Sequence, residues 1–107
     1  MRLLLDACVP RMLKKELGTT HNIWTARERG WNGLADGLLL AAMEGQIDSL
    51  ITVDKGLRWQ QRLDGRTFAV VLLRAKSNKL RELVPLIPAL LRVLDEVKPG
   101  EVREVGG

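Results

Sequence analysis

The stretch Phe68-Ala69-Val70-Val71-Leu72-Leu73 is apolar at every position. A strand with no polar alternation is one buried on both faces, the condition of a central strand in a parallel sheet. Working outward, Arg2 to Leu5 and Ser49 to Val53 read the same way. His21 to Thr25 predicts a further strand, and Glu101 to Val105 a last, edge strand after the turn Lys98-Pro99-Gly100. Helical spacing fills the intervals. Pro10 opens a segment carrying Met12, Leu13 and Leu17 that Gly18 stops, and Ala35 to Glu44 carries Leu38, Leu39 and Met43 before Gly45. Lys55 to Leu63 has helical spacing. Leu80 to Leu94 predicts a long amphipathic helix, capped by Ser77 or Asn78 and kinked or split by Pro85 and Pro88. Ala26 to Leu34, with three charges and two glycines, reads as a loop.

Strands thus alternate with helices along the whole chain. This order predicts a single domain over residues 1–107 with a three-layer α/β/α fold, a mainly parallel four- to five-stranded sheet and right-handed crossovers. In such sheets ligands gather at the C-terminal ends of the strands.

Composition narrows the class. The 107 residues include 17 Lys and Arg against 13 Asp and Glu, a formal charge of +4, which suits solubility and an anionic partner alike. The single cysteine, Cys8, excludes an internal disulfide and any multi-cysteine zinc or iron–sulfur frame, and it fits a reducing, cytoplasmic setting. Leu3-Leu4-Leu5 meets Asp6 well short of the ~7–15 apolar residues of a signal peptide. The longest apolar stretch, Leu83 to Leu91, holds two prolines and falls far below the ~20 residues of a membrane span.

Three acids fall on the ligand edge. Asp6 ends the first strand, Asp36 opens the helix after the second, and Asp54 ends the third. Each has an ordinary explanation in turn or helix-end chemistry, but their convergence on one edge does not. Two carboxylates ~4 Å apart repel by about 4 kcal/mol at an effective dielectric of 20, so a cluster needs a cation or a proton. Oxygen-only donors point to Mg²⁺ or Mn²⁺ rather than zinc. His21, at the start of its strand, reads as structural.

The motifs Leu3-Leu4-Leu5-Asp6-Ala7-Cys8-Val9-Pro10, Gly30-Trp31-Asn32-Gly33-Leu34-Ala35-Asp36 and Leu50-Ile51-Thr52-Val53-Asp54 resemble, in order and spacing, the short PIN-like domains related to VapC-type toxins. The resemblance covers nearly the whole chain. It implies the PIN fold, Mg²⁺- or Mn²⁺-dependent cleavage of RNA, and a small antitoxin as partner, with Asp6, Asp36 and Asp54 at the metal-site positions. Relatives often carry a further acidic or polar residue after the first Asp and another acid after Thr-x-Asp. Here those places hold Ala7 and Gly56, so a fourth carboxylate would have to come from Glu28 or Asp64.

Basic residues surround the acids in sequence. Lys55, Arg58, Arg62 and Arg66 share one face if their segment is helical, Arg27 and Arg29 precede Asp36, and Arg74, Lys76, Lys79 and Arg81 follow the fourth strand. A cationic rim around an acidic centre suits a metal nuclease, because cations hold the flanking phosphates. It equally suits a solvated surface. Trp31, beside Asp36, is a candidate for stacking on an unpaired base, which favours single-stranded RNA; Trp24 and Trp59 read as core. Thr52 shares the face of Asp54 and is a candidate to position a water or a phosphate oxygen. Cys8 reads as a small buried thiol rather than a nucleophile.

The leading expectation is therefore a metal-dependent endoribonuclease. Asp6, Asp36 and Asp54 are its metal and catalytic residues, Arg27, Arg29, Lys55, Arg58, Arg62 and Trp31 its RNA contacts, and Thr52 its support. RNA, a small antitoxin and a second copy of the chain are the expected partners. One alternative is a catalytically degenerate PIN-like module that binds RNA or a partner without cleaving. Another is a phospho-receiver-like domain with Asp54 as acceptor, although Asp6-Ala7 and Leu73-Arg74 lack the acidic pair and the hydroxyl which that chemistry expects.

Overall fold

The structure is a computed structural model that describes residues 1–56 and 63–106. In chain order it contains β1 (Arg2–Leu5), α1 (Leu13–Glu16), β2 (Asn22–Thr25), α2 (Asp36–Met43), β3 (Ser49–Thr52), β4 (Ala69–Arg74), α3 (Leu80–Leu83), a 3₁₀ turn (Val84–Leu86), α4 (Ile87–Glu96) and β5 (Val102–Gly106). The strands form one all-parallel sheet in the order β2-β1-β3-β4-β5. It is an α/β fold.

Burial explains the unbroken apolar runs. Successive strand residues face opposite sides, and each side has its own core. Leu3, Leu5, Ile51, Val71, Leu73 and Val105 pack with Leu13 and Leu17 at α1 and with Leu83, Leu90 and Leu94 of α3 and α4. Leu4, Leu50, Val70 and Phe68 pack with Leu39, Leu40 and Met43 of α2. Every residue of β3 is buried. The edge strand β5 keeps only Val105 fully inside, which agrees with its mixed sequence.

Local chemistry sets the helix ends. Gly45, at φ 73°, ends α2 in the left-handed region that glycine enters without strain. The long helix expected from Leu80 to Leu94 is split, as its prolines require: Pro85 lies in the 3₁₀ turn and Pro88 in the first turn of α4. The expected cap is displaced. Lys79 is the N-cap of α3, while Ser77 Oγ accepts the Lys79 N–H and the Asn78 amide donates to the Cys8 carbonyl. The helix expected from Pro10 is shorter, because the residues after Pro10 make turn-type hydrogen bonds before α1 begins at Leu13. The helical reading of Lys55 to Leu63 falls mostly outside the described residues.

The chain runs from β1 outward to β2, then back past β1 to β3. The sheet therefore reverses direction between β1 and β3, and the crevice beyond the C-terminal ends of those two strands is where such folds bind ligands.

Candidate active site

Asp6 and Asp54 stand at that reversal. The β1 ladder runs one residue past its last strand position, the Asp6 N–H donating to the Ile51 carbonyl at 3.0 Å, so Asp6 is held against the end of β3. Both of its carboxylate oxygens are engaged. Oδ1 accepts the Ala7 N–H at 2.8 Å, and Oδ2 accepts the Thr52 hydroxyl at 2.7 Å and the Cys8 thiol at 3.6 Å. Thr52 is buried, and its hydroxyl also accepts the Asp54 N–H at 3.0 Å. One hydroxyl thus joins two strand-end aspartates. Asp54 Oδ1 in turn accepts the Gly56 N–H at 2.9 Å, which steers the chain away from β3.

Asp36 opens α2, after β2, and so stands at the same end of the sheet. It is the first residue of α2, where a carboxylate suits the positive end of the helix. Its carboxyl is nevertheless pushed above the usual range, first by burial and then by the negative charges of Asp54 and Asp6. Asp36 thus senses both strand-end acids. Among the described residues no Lys or Arg forms an ion pair with any of them.

The donor set fits a hard divalent cation in kind: carboxylate oxygens that, among the described residues, form no ion pair with a Lys or Arg. Its spacing is open. Among the described residues no three His, Cys, Asp or Glu side chains are gathered closely enough to hold one ion. Neither expected fourth acid joins the group. Both Glu28 oxygens contact Lys14 Nζ at 3.0 Å and Oε1 accepts the Thr25 N–H at 2.8 Å, which, with Lys14, holds the carboxyl below its usual range. Asp64 precedes β4 and so lies toward the opposite edge of the sheet.

Thr52 holds a different post from the one expected. Its hydroxyl proton is spent on Asp6, so it orients a carboxylate instead of a water or a phosphate oxygen. Cys8 lies against the same pair, its Sγ 3.6 Å from Thr52 Oγ1, and burial pushes its thiol up, so it is neutral at ordinary pH.

The basic residues divide. Arg27 lines a cleft of about 500 Å³ together with Asp6, Arg11, Thr25 and Asn32. Arg29 turns elsewhere: its guanidinium lies over the rings of Trp31 and Trp24, 4.6 and 5.2 Å from their centroids, and donates to Gln46. Trp31 is partly buried against the α2 core. The pair expected to grip RNA is committed to a packed cation–π stack. Lys55 is exposed one residue after Asp54. Arg58, Arg62 and Trp59 lie outside the described residues. Arg66 approaches Glu44 beyond the C-terminal end of α2, away from the acids, and Arg74 pairs with Glu104. Arg11 and Asn32 also line the cleft, although Arg11, in the charged run Arg11 to Glu16, reads as helix surface and Asn32 as part of a loop.

No protein-family model matches the chain, and neither a curated protein nor a solved structure gives a significant match. The functional reading therefore rests on the residues themselves.

Proposed function

We propose that the chain is a metal-dependent endoribonuclease acting on single-stranded RNA, the toxin component of a toxin–antitoxin pair, built as a three-layer PIN-like domain. The observation that carries this reading is the meeting of Asp6 and Asp54 at the ends of β1 and β3, joined through the buried Thr52 hydroxyl. Helices packed against both faces of the sheet support the three-layer arrangement.

Asp6, Asp36 and Asp54 would hold the Mg²⁺ or Mn²⁺. Such an ion, when bound, lowers the pKa of an attacking water and offsets the charge of the phosphate. The protein's own share is positional. Thr52 and the Ala7 N–H fix the rotamer of Asp6, the Thr52–Asp6 bond ties the end of β3 to the end of β1, and the Thr52–Asp54 link sets the backbone just after β3. Arg27 and Arg11, beside Asp6, hold phosphate oxygens on one flank of the scissile bond. Lys55 serves the other. A small antitoxin and a second copy of the chain are the protein partners implied. Among the described residues no helix is long and apolar enough to cross a membrane.

Two observations favour a second reading, a PIN-like module that binds RNA or a partner without cleaving it: the open spacing of the acids and the apolar Ala7. The strand order is also that of doubly wound receiver-type domains. Those require an acidic pair after β1, where Ala7 stands, and a hydroxyl after β4, where Arg74 stands, so the order supports that fold without its chemistry.

Incubation of the protein with mixed RNA, with and without Mn²⁺, beside the Asp54→Asn variant separates these readings. The nuclease produces new RNA ends only with the cation and only with Asp54. RNA retained intact under all conditions, yet bound, selects the module.

A further inference from the structure

A second cleft, of about 620 Å³, adjoins the one at Asp6 and is walled by α1, the turn at Gly18 and the loop after β2. Arg11, Thr25 and Arg27 line both, so the two adjoin at these residues. The surface of the larger cleft is mostly apolar, and Met12, 46 % exposed, contributes to it. A methionine left so open to water is an unfilled contact surface of a soft, adaptable kind.

Charge surrounds that apolar surface. Lys14 and Glu28 cancel across the wall in an ion pair at 3.0 Å. Arg11, Lys15 and Arg27 form no ion pair among the described residues. Three unpaired cations around an apolar surface ask for a ligand that is anionic at its rim and flat and apolar at its middle. A nucleotide has that form, and the volume lies within the ~300–1,000 Å³ usual for small-ligand clefts. An acidic peptide would also answer the cations. The position of the cleft beside the one that Asp6 lines favours RNA, since a strand that runs past Arg11 and Arg27 meets both.

We propose that the cleft between α1 and the loop after β2 is the subsite for the nucleotide next to the scissile phosphate. Its unpaired base lies against Met12, and its phosphates meet Arg11, Lys15 and Arg27. The inference rests on the nuclease reading for its substrate class, and it adds Met12 and Lys15 to Arg11 and Arg27 as residues that meet the RNA.

Binding and cleavage separate the two claims. Fluorescence anisotropy of a labelled single-stranded RNA oligonucleotide, in EDTA, is measured with the wild type, with Arg11→Ala/Lys15→Ala, and with Arg92→Ala/Lys98→Ala, which removes the same charge away from the cleft. Loss of two phosphate contacts should weaken binding roughly tenfold and lower the slope of log affinity against log salt by about 1.4. The second pair should change affinity by no more than about twofold. Thermal melts of all three check that the fold is unaltered, and Met12→Ala should weaken binding with no change in salt slope. Equal binding by the wild type and Arg11→Ala/Lys15→Ala, with Mn²⁺-dependent cleavage intact, overturns the subsite and leaves the nuclease standing. Weakened binding by that pair, with no cleavage by any form, keeps the cleft as an RNA-binding site and overturns the nuclease. Displacement of the RNA by a poly-glutamate peptide at matched charge assigns the cleft to an acidic protein and overturns the proposal.

Discussion

Thr52 donates its hydroxyl proton to Asp6 Oδ2 over 2.7 Å, tying the end of β3 to the end of β1. The same oxygen accepts the Asp54 N–H, so a single buried hydroxyl sets the direction of one aspartate and the backbone of another. Rigid support of this kind is what a cation site needs if its carboxylates are to wait at the strand ends in the face of their own repulsion.

Replacing Thr52 tests that support. Thr52→Val keeps the shape but strands the Asp54 N–H and removes the strongest contact of Asp6 Oδ2. It should cost about 1–3 kcal/mol in urea denaturation and reduce Mn²⁺-stimulated cleavage. Thr52→Ser should restore most of both, which separates the hydroxyl from the methyl group.

Asp36 carries an energetic penalty when ionised. Its carboxyl is raised by burial and by its two acidic neighbours, so the native state holds this proton more tightly than the unfolded chain does. In EDTA, stability from this group is fully present below the ordinary carboxylate value of 3.8 and is lost as pH rises through the raised one. Asp36→Asn should therefore flatten that decline and raise the melting temperature at pH 7. It should also shrink the stabilisation that Mn²⁺ gives the wild type.

Asp48 has the opposite sign. The Arg2 side chain, foremost, and the Arg2 N–H hold its carboxyl below its ordinary value, with the backbone contact at 2.6 Å. Its contribution is present above pH 3.8 and is lost as pH falls through the depressed value. Acid unfolding of Asp48→Asn should begin from a lower stability at neutral pH and fall less steeply. The pair is partly exposed, so solvent screening limits the difference to about 1 kcal/mol.

The central strand should be the least tolerant of change. Leu50 is fully buried in the α2-side core, between Leu4 and Val70 in register. Leu50→Ala should cost about 2–5 kcal/mol in chemical denaturation, against a few tenths for a change at the exposed Leu38.

Much of this architecture is legible from short-range pattern. The runs at Leu3, Leu50 and Val70 mark buried strands because only a strand covered on both faces lacks polar alternation, and Pro85 announces the break in the last helix. The positions of Asp6, Asp36 and Asp54 follow from those runs. What escapes is contact across the fold. The Thr52–Asp6 hydrogen bond depends on the register of β3 against β1, which sequence periodicity does not encode. Likewise, the stack of Arg29 on Trp24 and Trp31 joins a strand to a loop, and turns two expected RNA contacts into packing. Arg11 reads as one charge of the run Arg11 to Glu16, and only the fold brings it to a cleft that Asp6 also lines.

The most direct measurement is a Mn²⁺ titration followed by electron paramagnetic resonance, with the wild type beside Asp6→Asn and Asp54→Asn. Three carboxylates that share one cation should bind the ion in the wild type, and each substitution should weaken that binding by tenfold or more, about 1.4 kcal/mol. Manganese binding that is absent from the wild type, or unchanged in both variants, would contradict the assignment of these three aspartates as one cation site.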